Sequence, residues 1–229
     1  MNRFLLAAGL LLSISGPALA QRLVTQTATL AAGQGVFLDL KYAHNIKVRA
    51  GASLRVQASV VINDNQQNDL YSLALQTTGS ELSVVEKLDE EQLRQTKFTG
   101  DCDGGSRNNG SHGLNVGYKR SEKTGGLRPT LNRNRGNDYS YCTKIDYEVT
   151  VPAGTALRLN TISGDLDLSG LNGAVTAKTI SGDVLSTDLT GPLTLRTVSG
   201  DVKISNLGTG GPLVTLHSVS GDVFFRKQK

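Results

Sequence analysis

Residues 157–168 read LRLNTISGDLDL, and the same pattern recurs as VTAKTISGDVLS (175–186), LTLRTVSGDVKI (193–204) and VTLHSVSGDVFF (214–225). Each copy contains two short runs in which every second residue is apolar, separated by Ser-Gly-Asp. Such alternation is typical of half-buried strands, and glycine permits the tight turn between them. A unit this short cannot bury its apolar side alone, so successive copies must stack. The pattern therefore predicts an all-β fold with a short β-solenoid of about four coils of 18–19 residues at 144–229.

Alignment of the four copies on Ser-Gly-Asp produces six apolar columns, which we expect to face the interior of the solenoid. The columns are Leu157/Val175/Leu193/Val214, Leu159/Ala177/Leu195/Leu216, Ile162/Ile180/Val198/Val219, Leu166/Val184/Val202/Val223, Leu168/Ser186/Ile204/Phe225 and Leu171/Leu189/Leu207. Arg226, Lys227 and Lys229 follow the last strand, and charge at such a position commonly protects an edge strand from further pairing.

Residues 21–98 predict a β-strand-rich N-terminal half. Apolar residues recur at every second position over short runs, such as Val36, Leu38 and Leu40, and glycines and an Asn-Asp-Asn cluster at 63–65 separate the runs. The acidic start of the segment 88–98 predicts a single helical turn there.

Residues 99–143 have a different composition. Eight glycines and six asparagines lie between Cys102 and Cys142, with no hydrophobic period. Such a segment buries too little apolar surface to offset its ordering entropy, so we expect a long surface loop inserted between the two halves. The two cysteines are the only ones in the chain and predict a disulfide that tethers this loop. Two free thiols, or half of a metal site with His112, are the alternatives.

The first twenty residues, MNRFLLAAGLLLSISGPALA, predict a secretory signal peptide. Arg3 supplies the positive start, an apolar run follows, and Ala18-Leu19-Ala20 has the small-x-small form of a cleavage site. A retained membrane anchor is the alternative. No later stretch is long and apolar enough to span a bilayer. We therefore expect an exported protein, in the periplasm or at the cell surface, with no transmembrane segment in the mature chain.

The positive charge is concentrated in the insertion. Removal of residues 1–20 leaves 23 basic and 20 acidic residues, and residues 103–141 alone carry a net charge of +4. An anionic envelope polymer or glycan, or another envelope protein, would suit this charge, whereas export makes a nucleic acid an unsuitable partner. The predicted contacts are Lys119, Arg120, Lys123, Arg128, Arg133 and Arg135. A solvated loop with no partner remains the alternative.

The sequence predicts no catalytic residue, no cofactor and no metal. The column Asp165/Asp183/Asp201/Asp222 is interpreted as turn chemistry, each carboxylate accepting a backbone N–H at its own turn, with a cation ladder as the alternative. His217 lies near serines and an aspartate, but its counterparts Asn160, Lys178 and Arg196 indicate a solvent-facing column. No nucleophile elbow is present. We therefore expect a protein that is not an enzyme.

The segment YEVTVP (147–152) followed by the Ser-Gly-Asp copies resembles the bacterial putative-adhesin family of unknown function, whose exported β-solenoid domains carry Ser-Gly-Asp-Val runs. The resemblance extends over 144–225. Short strands around residues 45–48 and 54–56 are similar to the family's early half, and 99–141 lies outside it. It implies a fold and an envelope location and supplies no catalytic residues.

The sequence thus favours an exported cell-envelope protein that is a non-enzymatic, adhesin-like binding or scaffolding module. One alternative is a carbohydrate-active β-helix enzyme that acts on envelope or extracellular glycans. The other is a structural or envelope-stress component without a specific ligand.

Overall fold

The computed structural model of the protein describes residues 21–102, 104–110, 115–120, 127–132, 139–207 and 213–227, the side chains of 110, 115–120, 127–132, 207 and 227 excepted. The predicted signal peptide lies outside these residues. The described strands form a nine-strand sheet, a seven-strand sheet and a separate two-strand sheet. In chain order they are β1 (Arg22–Ala28), β2 (Gly35–Asp39), β3 (Asn45–Gly51), β4 (Leu54–Ile62), β5 (Tyr71–Thr78), β6 (Glu81–Leu88), β7 (Ser106–Gly110), β8 (Asn115–Arg120), β9 (Leu127–Asn132), β10 (Tyr139–Pro152), β11 (Leu157–Asn160), β12 (Asp165–Ser169), β13 (Val175–Ser181), β14 (Val184–Thr187), β15 (Leu193–Ser199), β16 (Val202–Leu207), β17 (Val214–Ser220) and β18 (Val223–Lys227).

The repeats form the predicted β-solenoid. In each copy the strand before Ser-Gly-Asp joins the seven-strand sheet and the strand after it joins the nine-strand sheet. All pairings between copies are parallel, and the register shifts only between Ser205 and Leu207 in the β16–β18 pair. Leu195 of β15, for example, lies between Ala177 of β13 and Leu216 of β17. The apolar residues of the two sheets therefore stack in columns between them. Successive copies are offset by 18, 18 and 21 residues, so the last coil is longer than the predicted 18–19.

The N-terminal half continues the same two sheets. β2 pairs in parallel with β11, and β3 pairs in parallel with β12, so these two strands form a coil that precedes the first repeat. Beyond this coil the pairing becomes mostly antiparallel, with β10, β4 and β1 extending the nine-strand sheet and β5 and β6 ending the seven-strand sheet. One hydrophobic cluster, from Val36 to Ile204, runs through both halves.

The two ends of the solenoid differ. At the N-terminal end, the Arg22 guanidinium on β1 donates to the carbonyl of Asn68 at 2.8 Å, and the Gln26 amide donates to the carbonyl of Leu73 on β5 at 3.2 Å. These bonds join the outermost strands of the two sheets. At the C-terminal end β17 and β18 are outermost, and no described residue bridges them in this way.

The structure corrects part of the loop prediction for residues 99–143. Ser106–Gly110 is a strand that pairs with the start of β10, and β8 and β9 form an antiparallel hairpin. Polar side chains did not prevent strand formation, because backbone groups can pair whatever the side chains are. Cys102 and Cys142 form a disulfide with their Cα atoms 5.6 Å apart. The chain-entropy model assigns such a closure, of about 41 residues, roughly 4 kcal/mol.

The predicted helical turn is present as α1 (Glu90–Leu93), and the Asp89 carboxylate caps it by accepting the N–H of Gln92 at 3.0 Å. In the residues described, no helix is both long and apolar enough to cross a membrane.

Candidate functional site

The outer face of the seven-strand sheet carries a row of exposed aliphatic residues. Ile162, Ile180, Val198 and Val219 occupy equivalent positions in the four copies, and 45%, 53%, 48% and 82% of their surface is exposed. Parallel strands lie about 4.8 Å apart, so these side chains form one continuous apolar stripe across the coils. We call this stripe the aliphatic row.

The aliphatic row corrects the sequence prediction, which placed these four residues in the core. Strand alternation continues through β13 and β15 to Ser181 and Ser199, so residues 175, 177 and 179 point inward and 180 points outward. Threonine takes the expected inner position: Thr161, Thr179 and Thr197 are buried. The Thr179 hydroxyl donates to the carbonyl of Ser181 at 2.9 Å, and Thr197 donates to Ser199 at 3.0 Å. Because the hydroxyls of Thr179 and Thr197 are paired, burying them costs little, whereas the buried Thr161 hydroxyl has no partner among the described residues.

The Thr/Thr/Thr/Ser column at 161, 179, 197 and 218 was the signal in the sequence that could have revealed this register. It continues the alternation of the two apolar residues before it, and Ser218 makes the same bond, to Ser220, at 3.1 Å.

A basic column lies beside the aliphatic row. Asn160, Lys178, Arg196 and His217 are paired neighbours on successive strands, two residues before the aliphatic row and on the same face. Lys178, Arg196 and His217 are exposed, as the sequence predicted for this column. No described carboxylate forms an ion pair with Lys178 or Arg196. Other arginines are paired, since Arg49 on the nine-strand sheet contacts Asp167 through two bonds at 2.9 and 2.7 Å, and Arg158 on the seven-strand sheet forms an ion pair with Glu81.

The outer face of the C-terminal strands of the seven-strand sheet therefore combines an apolar stripe with uncompensated positive charge. We call the aliphatic row and the basic column together the outer ladder. A patch of this kind marks a surface that contacts another molecule more often than one that faces only water.

The aspartate column joins successive coils. The carboxylate of Asp165 accepts the backbone N–H of Asp183 at 2.9 Å, Asp183 accepts that of Asp201 at 2.8 Å, and Asp201 accepts that of Asp222 at 3.0 Å. Backbone N–H groups are the partners that the sequence predicted, but they belong to the next coil and not to the same turn. Among the described residues, no group of three or more His, Cys, Asp or Glu side chains could hold a metal ion.

The predicted basic contacts of the insertion are only partly covered by the structure. Lys119, Arg120 and Arg128 lie on β8 and β9, where the backbone alone is described. Lys123, Arg133 and Arg135 lie outside the described residues. Whether these six side chains form one surface stays a prediction.

A polar cleft of about 860 Å³ lies beside the disulfide. Its walls include Asn63, Asp64, Lys97, Phe98 and Asp101. Asn63 anchors one wall, since its side-chain oxygen accepts the N–H of Cys142 at 2.7 Å. Both aspartates are exposed. A general acid for glycoside cleavage would instead sit in an apolar environment, so the cleft offers no evident acid and base pair.

A buried chain of polar groups, which no sequence motif indicates, lies between the sheets. Glu86 on β6 accepts hydrogen bonds from the Tyr147 hydroxyl on β10 and from the N–H of Tyr42, the latter at 2.5 Å. Tyr71 on β5 in turn donates to Tyr147, with 2.7 Å between the two hydroxyl oxygens. Burial raises the pKa of Glu86 to about 7, although both hydrogen bonds favour its ionised form. Glu86 is buried, and its bond with Tyr147 joins β6 of the seven-strand sheet to β10 of the nine-strand sheet.

The Glu86 carboxyl should make stability depend on pH. Its pKa is higher in the folded state than in the unfolded chain, so its contribution is complete below about pH 4.5 and is lost as pH rises toward 7. A shift of this size corresponds to about 3 kcal/mol. We expect the free energy of unfolding, measured by denaturant titration, to fall between pH 5 and 8.

Glu86→Gln should remove most of this decline, because the glutamine side chain does not titrate. Its amide oxygen can still accept the N–H of Tyr42, and its NH2 group can donate to the Tyr147 hydroxyl in place of the bond that Glu86 accepted. Glu81→Gln is the matched control, since Glu81 lies on the same strand in an exposed pair with Arg158 and its pKa is lowered, chiefly by the hydrogen bond from Arg158. That variant should keep the decline. An unchanged decline in Glu86→Gln would contradict the assignment.

Comparison with known proteins agrees with this architecture. The family model named Toastrack DUF4097 matches residues 143–229, which include most of β10 and all four repeats. A crystal structure of a "putative cell adhesion protein" from Clostridium sporogenes ATCC 15579 has a TM-score of 0.50 at 8% identity, and the match covers 91% of this chain and 100% of that one. A "putative adhesin" from Bacteroides fragilis NCTC 9343 has 10% identity over 93% of this chain and 100% of that one, with a TM-score of 0.25 that carries no argument.

No curated protein matches the chain. At 8% identity the Clostridium structure bears on the fold alone. Together with the family match, it supports the resemblance to an adhesin-like family of unknown function: residues 143–229 are similar to the Toastrack DUF4097 domain and the chain shares the fold of a solved cell adhesion candidate.

Proposed function

We propose that this protein is an exported, non-enzymatic module of the bacterial cell envelope that binds an anionic envelope polymer through the outer ladder. The observation that carries the proposal is the aliphatic row beside the uncompensated charges of Lys178 and Arg196. A soluble surface with no partner has no need for four aligned exposed aliphatic residues.

The repeat geometry suits a polymer. The same pair of side chains, one aliphatic and one polar or basic, is presented at each coil on a rigid parallel sheet. A polymer with alternating apolar and anionic surface can contact several coils at once, and the contacts then add as in other multivalent binding. The side chains are fixed by the sheet, so little conformational entropy is lost on binding.

Export is supported by two observations. Residues 1–20 have the pattern of a secretory signal, and Cys102 and Cys142 are bonded, which is typical of proteins in oxidising compartments. Anionic lipopolysaccharide, teichoic-type polymer and acidic glycan are the candidate ligands in such a compartment. The name of the Clostridium structure is compatible with adhesion.

The basic insertion is the second candidate surface for the same ligand. Its six predicted contacts carry much of the excess positive charge of the chain. The outer ladder is favoured because its side chains have described positions and because it includes an apolar stripe, which charge alone does not explain.

Binding of the mature protein to immobilised lipopolysaccharide, teichoic acid and an acidic glycan tests the proposal. We expect Lys178→Gln/Arg196→Gln to weaken binding by about tenfold, and Val198→Ser to weaken it further through the lost apolar contact. The matched control is Lys47→Gln/Lys87→Gln, which removes two exposed lysines elsewhere and should leave binding close to that of the unmodified protein. Binding should also fall at physiological salt, where the screening length is about 8 Å.

Replacement of the six basic residues of the insertion by Gln separates the two surfaces. If this variant loses binding and the outer-ladder variant retains it, the site lies in the insertion. Loss of binding in neither variant would contradict both surfaces. The site would then lie elsewhere on the protein. No binding of the unmodified protein to any of the three polymers would instead favour a structural component without a specific ligand.

A carbohydrate-active enzyme is the remaining alternative, and the polar cleft with Asp64 and Asp101 is where it would act. Incubation with the bound glycan, followed by analysis of chain length, tests it. Shortening that is abolished by Asp64→Asn/Asp101→Asn would replace the binding proposal with an enzymatic one.

A further inference from the structure

The C-terminal end of the solenoid is an open end. In each inner coil the two columns after Ser-Gly-Asp are buried; Val202 and Ile204, for example, are 2% and 1% exposed. Their counterparts in the last coil, Val223 and Phe225, are 46% and 56% exposed. Terminal repeats of stable solenoids usually carry polar residues at these positions. Here they carry an aliphatic and an aromatic residue.

Backbone groups are exposed at the same end. Among the described strands, β17 pairs only with β15, and β18 pairs only with β16. Each strand therefore presents a row of N–H and C=O groups without a partner strand, which is a template for further pairing. The opposite end differs. There, Arg22 and Gln26 of β1 donate hydrogen bonds to the carbonyls of Asn68, shortly before β5, and of Leu73 on β5.

Asp222 is also left without its usual contact. Asp165, Asp183 and Asp201 each accept the backbone N–H of the aspartate in the next coil. No coil follows Asp222 within the described residues, and its carboxylate accepts no hydrogen bond from any of them.

We propose that the open end is the interface of a two-fold symmetric dimer, in which β17 and β18 of one copy pair antiparallel with the same strands of a second copy. A two-fold axis perpendicular to both sheets reverses the strand direction and the solenoid direction together. It therefore joins both edges at once, and each sheet continues from one copy into the other. A single unrelated strand could cover only one of the two edges.

The sequence of β18 supports pairing with itself. In a register centred on Phe224, Phe224 faces its own copy on the outer face, and Val223 faces Phe225 on the inner face. Asp222 then faces Arg226 of the other copy, twice by symmetry. Opposite charges and aromatic pairs directly across antiparallel strands are favourable. Arg226, one of the charged residues that the sequence suggested as protection of this edge, thus has Asp222 of the other copy as its partner in the dimer.

This proposal concerns assembly and does not depend on the outer ladder or its ligand. Sedimentation velocity of the mature protein over a dilution series should show a dimer that dissociates to a monomer. Hydrogen exchange should show that protection of β17 and β18 amides rises with protein concentration while that of β1 and β5 does not.

A charge swap tests the register. Asp222→Arg sets two arginines opposite each other, and Arg226→Asp sets two aspartates opposite each other, so each variant should raise the dissociation constant about tenfold or more. The double variant Asp222→Arg/Arg226→Asp restores both pairs and should recover most of the affinity. Within the described part of the chain, neither the Asp222 carboxylate nor the Arg226 guanidinium forms a hydrogen bond or an ion pair, so the single variants should stay folded.

Phe224→Lys is a second disruption, and Leu185→Lys is its control. Leu185 is 42% exposed, against 51% for Phe224, and lies in the same outer row, two strands away from β18. The first variant should be monomeric and the second should dimerise normally. A mature protein that stays monomeric at all concentrations, or a dimer unaffected by the single charge reversals and by Phe224→Lys, would overturn the proposal.

Discussion

Leu195→Asp is expected to unfold the solenoid, whereas Val198→Asp, three residues later in the same strand, is expected to leave it folded. Leu195 is 2% exposed and stacks between Ala177 and Leu216, so the substitution removes a packed side chain and buries a carboxylate with no partner. Loss of the leucine alone costs about 2–5 kcal/mol, and the buried charge adds to it. That sum is comparable with the whole stability of a domain of this kind.

Val198 has 48% of its surface exposed, so an aspartate there remains in water and should cost less than about 1 kcal/mol. Circular dichroism and denaturant titration of the two purified variants provide the measurement. Equal loss of structure in both variants would show that the inner and outer faces of β15 are assigned wrongly. The pair is well matched because the introduced residue, the strand and the coil are the same.

Gly191→Ala is the second change for which we expect a large effect. Gly191 forms the corner between β14 and β15, and a Cβ added there would lie 2.1 Å from the carbonyl oxygen of Gly173 in the preceding coil. That distance is far inside van der Waals contact and involves backbone on both sides. The two coils would have to move apart, which would disturb the parallel pairing around them. We expect a loss of about 3 kcal/mol.

Gly79→Ala is the control, because it changes only the backbone conformational cost and introduces no steric clash. Gly79 has φ +60° in the turn between β5 and β6, and a Cβ there would meet nothing within 4 Å. Only the conformational penalty of about 1 kcal/mol should apply. Thermal and denaturant unfolding of the two variants give the comparison. Similar losses in both would mean that the coils at the Gly173–Gly191 corner tolerate separation.

The stacking of the copies could be predicted from the sequence because it depends on a local pattern that repeats. Every inward residue of one coil needs an equivalent neighbour in the next, and Leu159, Ala177 and Leu195 show that requirement directly. The pairing of Cys102 with Cys142 was predictable for a similar reason, since the chain has no other thiol.

The prediction that the aliphatic row faces the core was wrong, because strand alternation and not hydrophobicity determines which side chains of β13 and β15 are buried. Ile180 is more apolar than Thr179, so composition favoured burying the isoleucine. The strand continues without a bulge to Ser181, however, and the Thr179 hydroxyl can be paired inside. Alternation therefore decided which side chain entered the core.

The amino-acid sequence by itself determined the class of fold, the number of repeats and the position of each turn, because these follow from side-chain period and glycine placement along the chain. Only the tertiary structure decided the contacts between distant segments. Glu86, Tyr147 and Tyr71 meet between the two sheets although 61 residues separate the first two. The open end at β17 and β18 likewise depends on which strands find a neighbour. Such contacts are set by packing in three dimensions, where sequence separation has no bearing on distance.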